Sequence, residues 1–221
     1  GLRRRGGRVL RGAPVTALAR DGGGWRIDAG EHTVRAGEVV DAAGAWTDRV
    51  AALAGVPGVG LVAHRRTIAA CPAPDPSQLW VDGRPLPMVV DPAERFYLKS
   101  ESDTVLVSPA DETPVEPGDA RPQETDVALA VDRVGEATTL GLRSVRTAWA
   151  GLRSFVADRG PVAGAWPEHP GFWFFAGQGG SGIESAPALA ALGAAVVTGA
   201  PVPDDIPLDP AVVSVTRLVR R

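Results

Sequence analysis

A glycine-rich turn near the C-terminal end of the chain carries its strongest chemical signal. The apolar run 172–175 leads into Gly177-x-Gly179-x-x-Gly182, and a run of small residues follows it. Glycines let a backbone approach a ligand closely, and the unpaired N–H groups at a helix start favour negative charge. The pattern therefore predicts a strand, a tight turn and a helix that can face an anion. A tight turn that binds nothing fits the same motif, and the motif alone leaves this alternative open.

The glycine spacing also matches the G-x-G-x-x-G fingerprint of Rossmann dinucleotide sites. That fingerprint opens a sheet with a further crossover unit behind it, and too few residues follow Gly182 to form one. The acidic residues at a suitable distance, Asp204 and Asp205, lie in a proline-rich segment rather than at a strand end. The context therefore argues against a dinucleotide fingerprint.

Composition excludes several other classes of function. Hydrophobic residues at 44% and charged residues at 22% are ordinary for a soluble globular protein. A net charge of −3 gives no reason to expect nucleic acid or an anionic membrane as a partner. Cys71 is alone and His32, His64 and His169 lack ligand spacing, so we expect no metal site and a cytoplasmic location. The longest apolar stretch, 186–197, is too short to span a bilayer.

The elements that would position the glycine turn indicate a mixed α/β protein. Strand-like patterns occupy 15–20, 25–29, 32–35, 39–41, 67–70, 88–90, 96–98, 104–107, 143–155 and 171–175. Helical patterns occupy about 50–54, 123–137 and 181–198, with Gly55 ending the first of them. Strands dominate the middle of the chain, and we expect the elements at its two ends to share a second layer.

Three segments, taken together, resemble the D-amino-acid-oxidase-like flavoprotein superfamily. Val39–Thr47 is similar to the second flavin-contacting segment, a strand that ends in Ala-Gly-Ala-Trp. Trp149–Phe155 is similar to the Gly-Leu-Arg segment that crosses the substrate and the flavin. Ala176–Ala188 is similar to the C-terminal flavin segment. The order and spacing of the segments match as well, and the likeness covers nearly the whole chain.

Within the superfamily, the chain is most similar to bacterial D-arginine dehydrogenases. This likeness is carried by Arg65-Arg66, Phe96–Lys99, Glu136–Leu140 and Trp149–Asp158. Two positions depart from that pattern, because Ser181 stands in place of Tyr and Glu184 in place of Gln. Losing an aromatic ring beside the flavin removes a large apolar surface from the pocket wall, so D-arginine as the particular substrate does not follow.

The resemblance implies FAD-dependent oxidation of an amino acid or amine. In the superfamily a hydride leaves the substrate Cα for flavin N5, and water hydrolyses the imino product. The active site lies between a FAD-binding domain, here 1–57 with 151–221, and a mostly antiparallel substrate domain, here 58–150. The partner is then a small-molecule amino acid or amine, and either oxygen or a quinone can be the electron acceptor.

Site residues are carried over from the matching motifs. The resemblance implies that Arg66 and Arg153 bind the substrate carboxylate, Tyr97 offers it a hydroxyl, and the Gly180 carbonyl lies near the amine. An Arg fork suits a carboxylate because it donates two parallel charge-assisted hydrogen bonds, and fixed donors suit the negative edge of a reduced flavin. The implied cofactor contacts are Val15, Ala43, Gly44, Trp46, Gly151, Gly177, Gly179, Gly180, Ser181, Gly182, Ile183 and Glu184.

Members of the superfamily begin with a strand, a glycine turn and a helix that hold the FAD pyrophosphate. We expect this chain to lack that N-terminal βαβ unit. The FAD-binding domain would then be incomplete, and the 221-residue chain alone is expected to be colourless and inactive. Three alternatives remain: a glycine- or sarcosine-type amine oxidase, a non-catalytic remnant without flavin, and a module that binds another anion. An in-frame G-x-G-x-x-G segment in the nucleotide sequence just upstream would favour the enzyme, and a stop codon there would favour the remnant. The most useful single observation is an absorbance scan of the purified protein for bound flavin.

Overall fold

A computed structural model of the protein describes residues 1–220 and divides into two compact units. Unit 1 contains Gly1–Leu61 together with the segment that begins at Ser154, and unit 2 contains Val62–Arg153. The chain therefore leaves unit 1 once, completes unit 2 and returns. The assignment of these units to flavin binding and substrate binding stays a prediction.

Strands dominate both units, as the sequence predicts. The strands β1 to β14 are, in order, Val15–Asp21, Gly24–Ala29, His32–Ala36, Val39–Asp41, Val62–Pro72, Trp80–Val81, Arg84–Pro85, Val89–Val90, Tyr97–Glu101, Thr104–Ser108, Thr113–Val115, Thr147–Phe155, Val162–Gly164 and Phe172–Ala176. The helices α1 to α3 are Thr47–Leu53, Glu124–Ala137 and Gly182–Thr198. Short 3-10 turns cover Leu2–Arg5, Gly44–Trp46, Pro76–Leu79, Pro210–Val213 and Val215–Arg220. This composition confirms the mixed α/β class.

Unit 1 is built on two small sheets. Strands β1, β2 and β3 form an antiparallel meander, and Gly22 and Gly23 adopt positive φ in its first turn, which confirms the predicted hairpin. The second sheet has the order β13-β14-β4, and β14 pairs in parallel with β4. Strands from the two ends of the chain therefore share one sheet, as expected.

The core of unit 1 is aromatic. Trp25, Phe172 and Phe174 are almost completely buried. Phe172 meets Trp25 and Phe174 edge to face, with ring centroids 5.6 Å and 5.3 Å apart. Such pairs contribute about 0.5–1.5 kcal/mol beyond the burial of their area. This core holds the parallel pair β4–β14 in place.

Unit 2 contains a six-stranded sheet, covered on one face by α2, and the small hairpin β6–β7. The order of the sheet is β11-β5-β10-β9-β8, and β12 also pairs with β5. Ala130 and Val134 of α2 are fully buried with Leu98, Val105 and Val107 of the sheet. The apolar stripe predicted for this helix is therefore the surface that packs on the sheet.

Several element boundaries differ from the sequence-based prediction. The strand predicted for 143–155 begins only at Thr147, and the one predicted for 88–90 is reduced to Val89–Val90. Strands β7 and β11 were not predicted, because each contains a proline, which interrupts a strand pattern. No helix within residues 1–220 is both long enough and apolar enough to cross a membrane.

Candidate functional site

The register of the unit 2 sheet places Arg66 and Tyr97 on the same face. Ala69, Val107 and Leu98 lie opposite one another on β5, β10 and β9, and all three are buried in the core beneath α2. Successive side chains of a strand point to opposite faces. Arg66, three residues from Ala69, and Tyr97, next to Leu98, therefore project from the face that α2 does not cover. We call this surface the clamp face.

Arg153 reaches the clamp face from β12. Ala148 packs against the core beneath α2, so alternation directs Trp149, Gly151 and Arg153 to the opposite side of the sheet. Trp149 is 44% exposed. Three residues widely separated in sequence, Arg66, Tyr97 and Arg153, are thus brought to one face by the sheet.

The two clamp-face arginines influence each other electrostatically. Burial lowers the pKa of the Arg153 guanidinium, and the positive charge of Arg66 lowers that pKa further. The electrostatic effects of Tyr97, Glu112 and Asp111 raise the pKa of Arg153. Within residues 1–220, no carboxylate forms an ion pair with Arg153. A cation that is partly buried and lacks a paired anion is suited to receive one from a ligand.

Arg66 already has an anionic partner. Its Nη2 donates to Oε1 of Glu112 at 2.8 Å, while its buried Nε has no acceptor within the described residues. Glu112 lies in the loop between β10 and β11, and sequence reasoning gave it no role. The only available signal was an acidic pair, Asp111-Glu112, shortly after a buried strand.

The neighbouring Arg65 is engaged on the other face. Its Nη2 lies 2.7 Å from Oδ2 of Asp126 on α2, and its Nε lies 3.6 Å from Oδ2 of Asp111. Asp111 also accepts hydrogen bonds from the backbone and hydroxyl of Thr67. Arg65 therefore ties the sheet to its helix, and only the second arginine of the pair is presented on the clamp face.

In unit 1, the glycine turn requires glycine at its centre. Gly177 and Gly179 adopt φ of 72° and 55°, and a Cβ at Gly179 would lie 2.2 Å from the Phe155 ring. The Gly179 N–H donates to the Ser154 carbonyl at 3.0 Å, which anchors the turn to the end of β12. Gly180, the next residue, is exposed. The backbone here follows a path that no other residue type takes without strain.

Helix α3 opens from this turn with its first amides unused. No side chain caps the helix at Ser181, so the N–H groups of Gly182, Ile183 and Glu184 have no acceptor within the helix. The Ile183 side chain is 95% exposed. The unbonded N–H groups at the start of α3 and the exposed Ile183 side chain together suit a flat ligand with an electron-rich polar edge.

The segment after β4 leaves the same edge of the sheet as the glycine turn, because β4 and β14 are parallel neighbours. Gly44 has φ of 59° and open space around its Cβ position, and Trp46 is 42% exposed. Ala43 is half-buried, and its N–H donates to Oδ1 of Asp41 at 3.0 Å. Ligands of open α/β sheets bind beyond the carboxyl ends of parallel strands, which is where both segments lie.

Asp41, at the end of β4, is a buried carboxyl without an ion-pair partner. Its Oδ2 has no hydrogen-bond partner among the described residues. Burial raises the pKa of Asp41 to about 6; the Ala43 hydrogen bond opposes this rise and the nearby Asp48 charge adds to it.

The residues of unit 1 fit a flavin. The uncapped amides of α3 can meet the negative pyrimidine edge, exposed Ile183 and Trp46 offer apolar surface, and Gly44 permits close backbone approach. Val15, at the start of β1, is partly exposed and could contact a more distant part of the cofactor. Gly151 lies in unit 2, so its role beside the flavin stays a prediction, as does a common cavity for the glycine turn and the clamp face.

The chain belongs to the FAD dependent oxidoreductase family. The family model matches residues 1–196, which include both sheets of unit 1 and all of unit 2. This confirms the flavoprotein resemblance and makes FAD the cofactor of the family to which the chain belongs.

Named relatives support the same fold. Glycine oxidase from Geobacillus kaustophilus is 23% identical with a TM-score of 0.76, over 96% of this chain and 54% of that one. Iminodiacetate oxidase from Chelativorans sp. BNC1 is 24% identical with a TM-score of 0.70, over 96% of this chain and 55% of that one. Mitochondrial dimethylglycine dehydrogenase of Mus musculus is 30% identical over 110 residues, 49% of this chain and 12% of that protein. The chain thus spans about half the length of the two solved structures.

Proposed function

We propose that the protein oxidises an amine that carries a neighbouring carboxylate, with FAD as cofactor. FAD, when bound, would supply the acceptor for a hydride from the substrate Cα; the oxidised product is an iminium ion, which becomes an imine when its nitrogen loses a proton to water. One observation carries this proposal: Arg66, Tyr97 and Arg153 project from the same face of the unit 2 sheet. The chain that carries them belongs to a FAD-dependent family.

The residues of the clamp face would hold and aim the substrate. Arg153 offers a planar fork that matches a carboxylate in two parallel hydrogen bonds. Arg66 has a buried Nε without an acceptor, and Tyr97 can add a hydroxyl donor. Fixing the carboxylate at three points orients the adjacent Cα and keeps its C–H bond directed to one side.

We propose a D-amino acid as the first substrate class, on the strength of the sequence resemblance. Glycine derivatives are a second class, favoured by two features. Ser181 replaces an aromatic residue of the D-arginine dehydrogenase pattern. In addition, similar proteins are named for glycine, iminodiacetate and dimethylglycine. Bleaching of the flavin absorbance by D-alanine, D-arginine, glycine, sarcosine or dimethylglycine separates the two classes.

Arg153→Lys tests the carboxylate clamp in the full-length FAD-loaded protein. Lysine keeps the charge but loses the planar fork, so one of two parallel hydrogen bonds disappears. We expect kcat/KM to fall by about 2 kcal/mol of transition-state stabilisation, roughly thirtyfold, since hydrogen bonds to charged groups contribute about 1.5–3 kcal/mol.

Arg146→Lys is the matched control, because Arg146 lies in the same unit, pairs with Asp103 and is about half exposed. Its kcat/KM should stay within about twofold of the wild-type value, as surface ion pairs contribute little. An Arg153→Lys variant with unchanged catalytic efficiency would assign Arg153 a structural role.

A further inference from the structure

A C-terminal segment of unit 1, residues 209–217, packs beside both elements that flank the glycine turn. Val215 is fully buried in the aromatic core of unit 1, which includes two phenylalanines of β14. Val213 is 2% exposed and is buried with two leucines of α3. The segment therefore shares one core with the strand that enters the glycine turn and another with the helix that leaves it. It lies beyond residues 1–196, which the family model matches.

Arg217, in this segment, binds the loop that follows β12. We call residues 156–160 the support loop. The Nε of Arg217 lies 2.8 Å from Oδ2 of Asp158 and its Nη2 lies 3.2 Å from Oδ1, which makes a bidentate ion pair. Nη2 also donates to the Gly160 carbonyl, and Nη1 donates to the Ser214 carbonyl, both at 2.9 Å. The side chains of the ion pair are only 15% and 26% exposed, so this contact holds the loop more firmly than a surface ion pair would.

The support loop lies directly behind the glycine turn. The Gly160 carbonyl and the Val156 side chain lie 3.5 Å and 3.6 Å from the Cβ position of Gly177. Phe155, the residue before the loop, places its ring at the Cβ position of Gly179. Both positive-φ glycines of the turn are therefore backed by the support loop or by the residue next to it. A displacement of the loop would displace the turn from which the amides of α3 open.

We propose that Arg217 is a positioning residue for the flavin: by holding the support loop, it keeps the glycine turn and the first amides of α3 aligned with the electron-rich edge of bound FAD. This rests on the proposed function, since it takes the glycine turn to face FAD. Reduced flavin carries more negative charge at that edge than oxidised flavin, so aligned donors stabilise the reduced form more. Loss of Arg217 should therefore lower the reduction potential of the bound flavin, in addition to any loss of stability.

Arg20 provides the matched control in the same unit. Its guanidinium carbon lies 4.1 Å from the centroid of the Trp25 ring, and its Nη2 donates to the Pro170 carbonyl. Pro170 precedes β14, whereas Gly177 follows it. Both arginines thus join distant parts of unit 1 through a backbone carbonyl, one near the start of β14 and one near its end. Arg20→Met should lower the stability of unit 1 without changing the flavin potential.

The experiment compares Arg217→Met and Arg20→Met with the wild type in the full-length FAD-loaded protein. Equilibration with a reference dye, followed by absorbance, gives the reduction potential of the flavin, and thermal unfolding gives the stability. A donor that loses its alignment loses part of its contribution. We therefore expect Arg217→Met to shift the equilibrium towards oxidised flavin by about tenfold, which is about 30 mV for a two-electron couple. The potential of Arg20→Met should equal that of the wild type.

A second variant covers the case in which Arg217→Met does not fold or does not retain FAD. Arg217→Lys keeps the charge but loses the planar fork, so it should shift the potential in the same direction by about threefold.

An unchanged or raised potential in the Arg217 variant would overturn the role of Arg217, whatever its stability, and the proposed function would still stand. So would an equal fall of the potential in Arg20→Met, which would show that the potential follows general stability. If the full-length wild-type protein binds no FAD, the proposed function fails together with this inference.

Discussion

The two units meet their expected ligands by different means. Unit 1 offers backbone: positive-φ glycines, a close turn and the open amides at the start of α3. Unit 2 offers side chains, with Arg66, Tyr97 and Arg153 projecting from one face of a sheet. A substitution does not remove a backbone N–H, but a larger side chain can displace the backbone. We therefore expect unit 1 to be sensitive to added side-chain volume. Side-chain donors are sensitive to a change of functional group.

The units also differ in how they bury charge. In unit 2 the buried acid Asp111 lies beside Arg65, and the buried Arg66 pairs with Glu112. In unit 1 the carboxyl of Asp41 is buried with no arginine or lysine paired to it among residues 1–220. Paired charges make unit 2 insensitive to mild changes of pH, whereas the stability of unit 1 should depend on the proton of one group.

The largest expected effect is that of Gly179→Ala in unit 1. An alanine at φ of 55° costs about 1–2 kcal/mol, and its Cβ would overlap the buried Phe155 ring, which adds about 1–3 kcal/mol. We expect the free energy of unfolding to fall by about 3–4 kcal/mol. Urea unfolding followed by tryptophan fluorescence and circular dichroism measures this.

Gly44→Ala provides the matched control for volume. Gly44 has a similar φ of 59° but nothing within 4 Å of its Cβ position, so only the backbone cost of about 1 kcal/mol should appear. Equal losses in the two variants would mean that the Phe155 ring moves aside freely, and that unit 1 is less sensitive to volume than its geometry indicates.

Asp41 predicts a dependence of stability on pH. Its pKa is about 6 in the folded chain, above the ordinary value of about 3.9 for an aspartate, so the folded state binds its proton more tightly than the unfolded state does. The stabilisation from this proton is complete below about pH 4 and is lost as the pH rises through about 6. Integrated over this window, the loss is at most about 3 kcal/mol.

Asp41→Asn should remove this dependence while keeping an acceptor for the Ala43 N–H. The variant is expected to match the wild-type free energy of unfolding near pH 4 and to exceed it increasingly up to pH 7. Asp205→Asn, at an exposed position of the same unit, should leave the profile as it is. Parallel profiles for Asp41→Asn and the wild type would show that the carboxyl is solvated in the folded protein.

The smallest expected effect compares one helix glycine from each unit. Gly135 on α2 has open space at its Cβ position, so Gly135→Ala should stabilise the protein by about 0.5–1 kcal/mol. A Cβ at Gly193 on α3 would lie 2.6 Å from the Phe175 ring, so overpacking should outweigh the helix preference and destabilise by about 1 kcal/mol. Thermal unfolding measures whether each variant is more or less stable than the wild type. A stabilising effect of Gly193→Ala would show that the packing beneath α3 is loose.

Local elements were predictable wherever a short pattern determines them. The β1–β2 hairpin, α2 and the entry into α3 follow from glycine turns and apolar spacing within about fifteen residues. The strands that contain Pro85 and Pro114 could not be predicted, because proline conceals the strand pattern. Pro85 pairs with nearby Trp80, whereas Pro114 pairs with distant His64.

The candidate site was predictable only in part, for a related reason. The glycine turn is a local motif, whereas Arg66, Tyr97 and Arg153 come together through sheet pairing and were found by resemblance alone. Glu112 was missed because a single acid in a loop has no pattern, and its contact with Arg66 joins residues 46 apart in sequence. Site residues defined by pairing need either a structure or a known family.

The parallel pairing of Val39 with Phe172 sets the order of events during synthesis. Arg66 and Arg153 lie near the two ends of unit 2 and influence each other, so completing unit 2 shortens the loop that must close before β4 meets β14. At a synthesis rate of about 5–20 residues per second, β14 is made on the order of ten seconds after β4. We expect proteolysis of released chains that are truncated between unit 2 and Phe172 to spare unit 2 and to cut near β4. Strand β4 is therefore secured long after it is made, whereas β1, β2 and β3 pair as soon as they are complete.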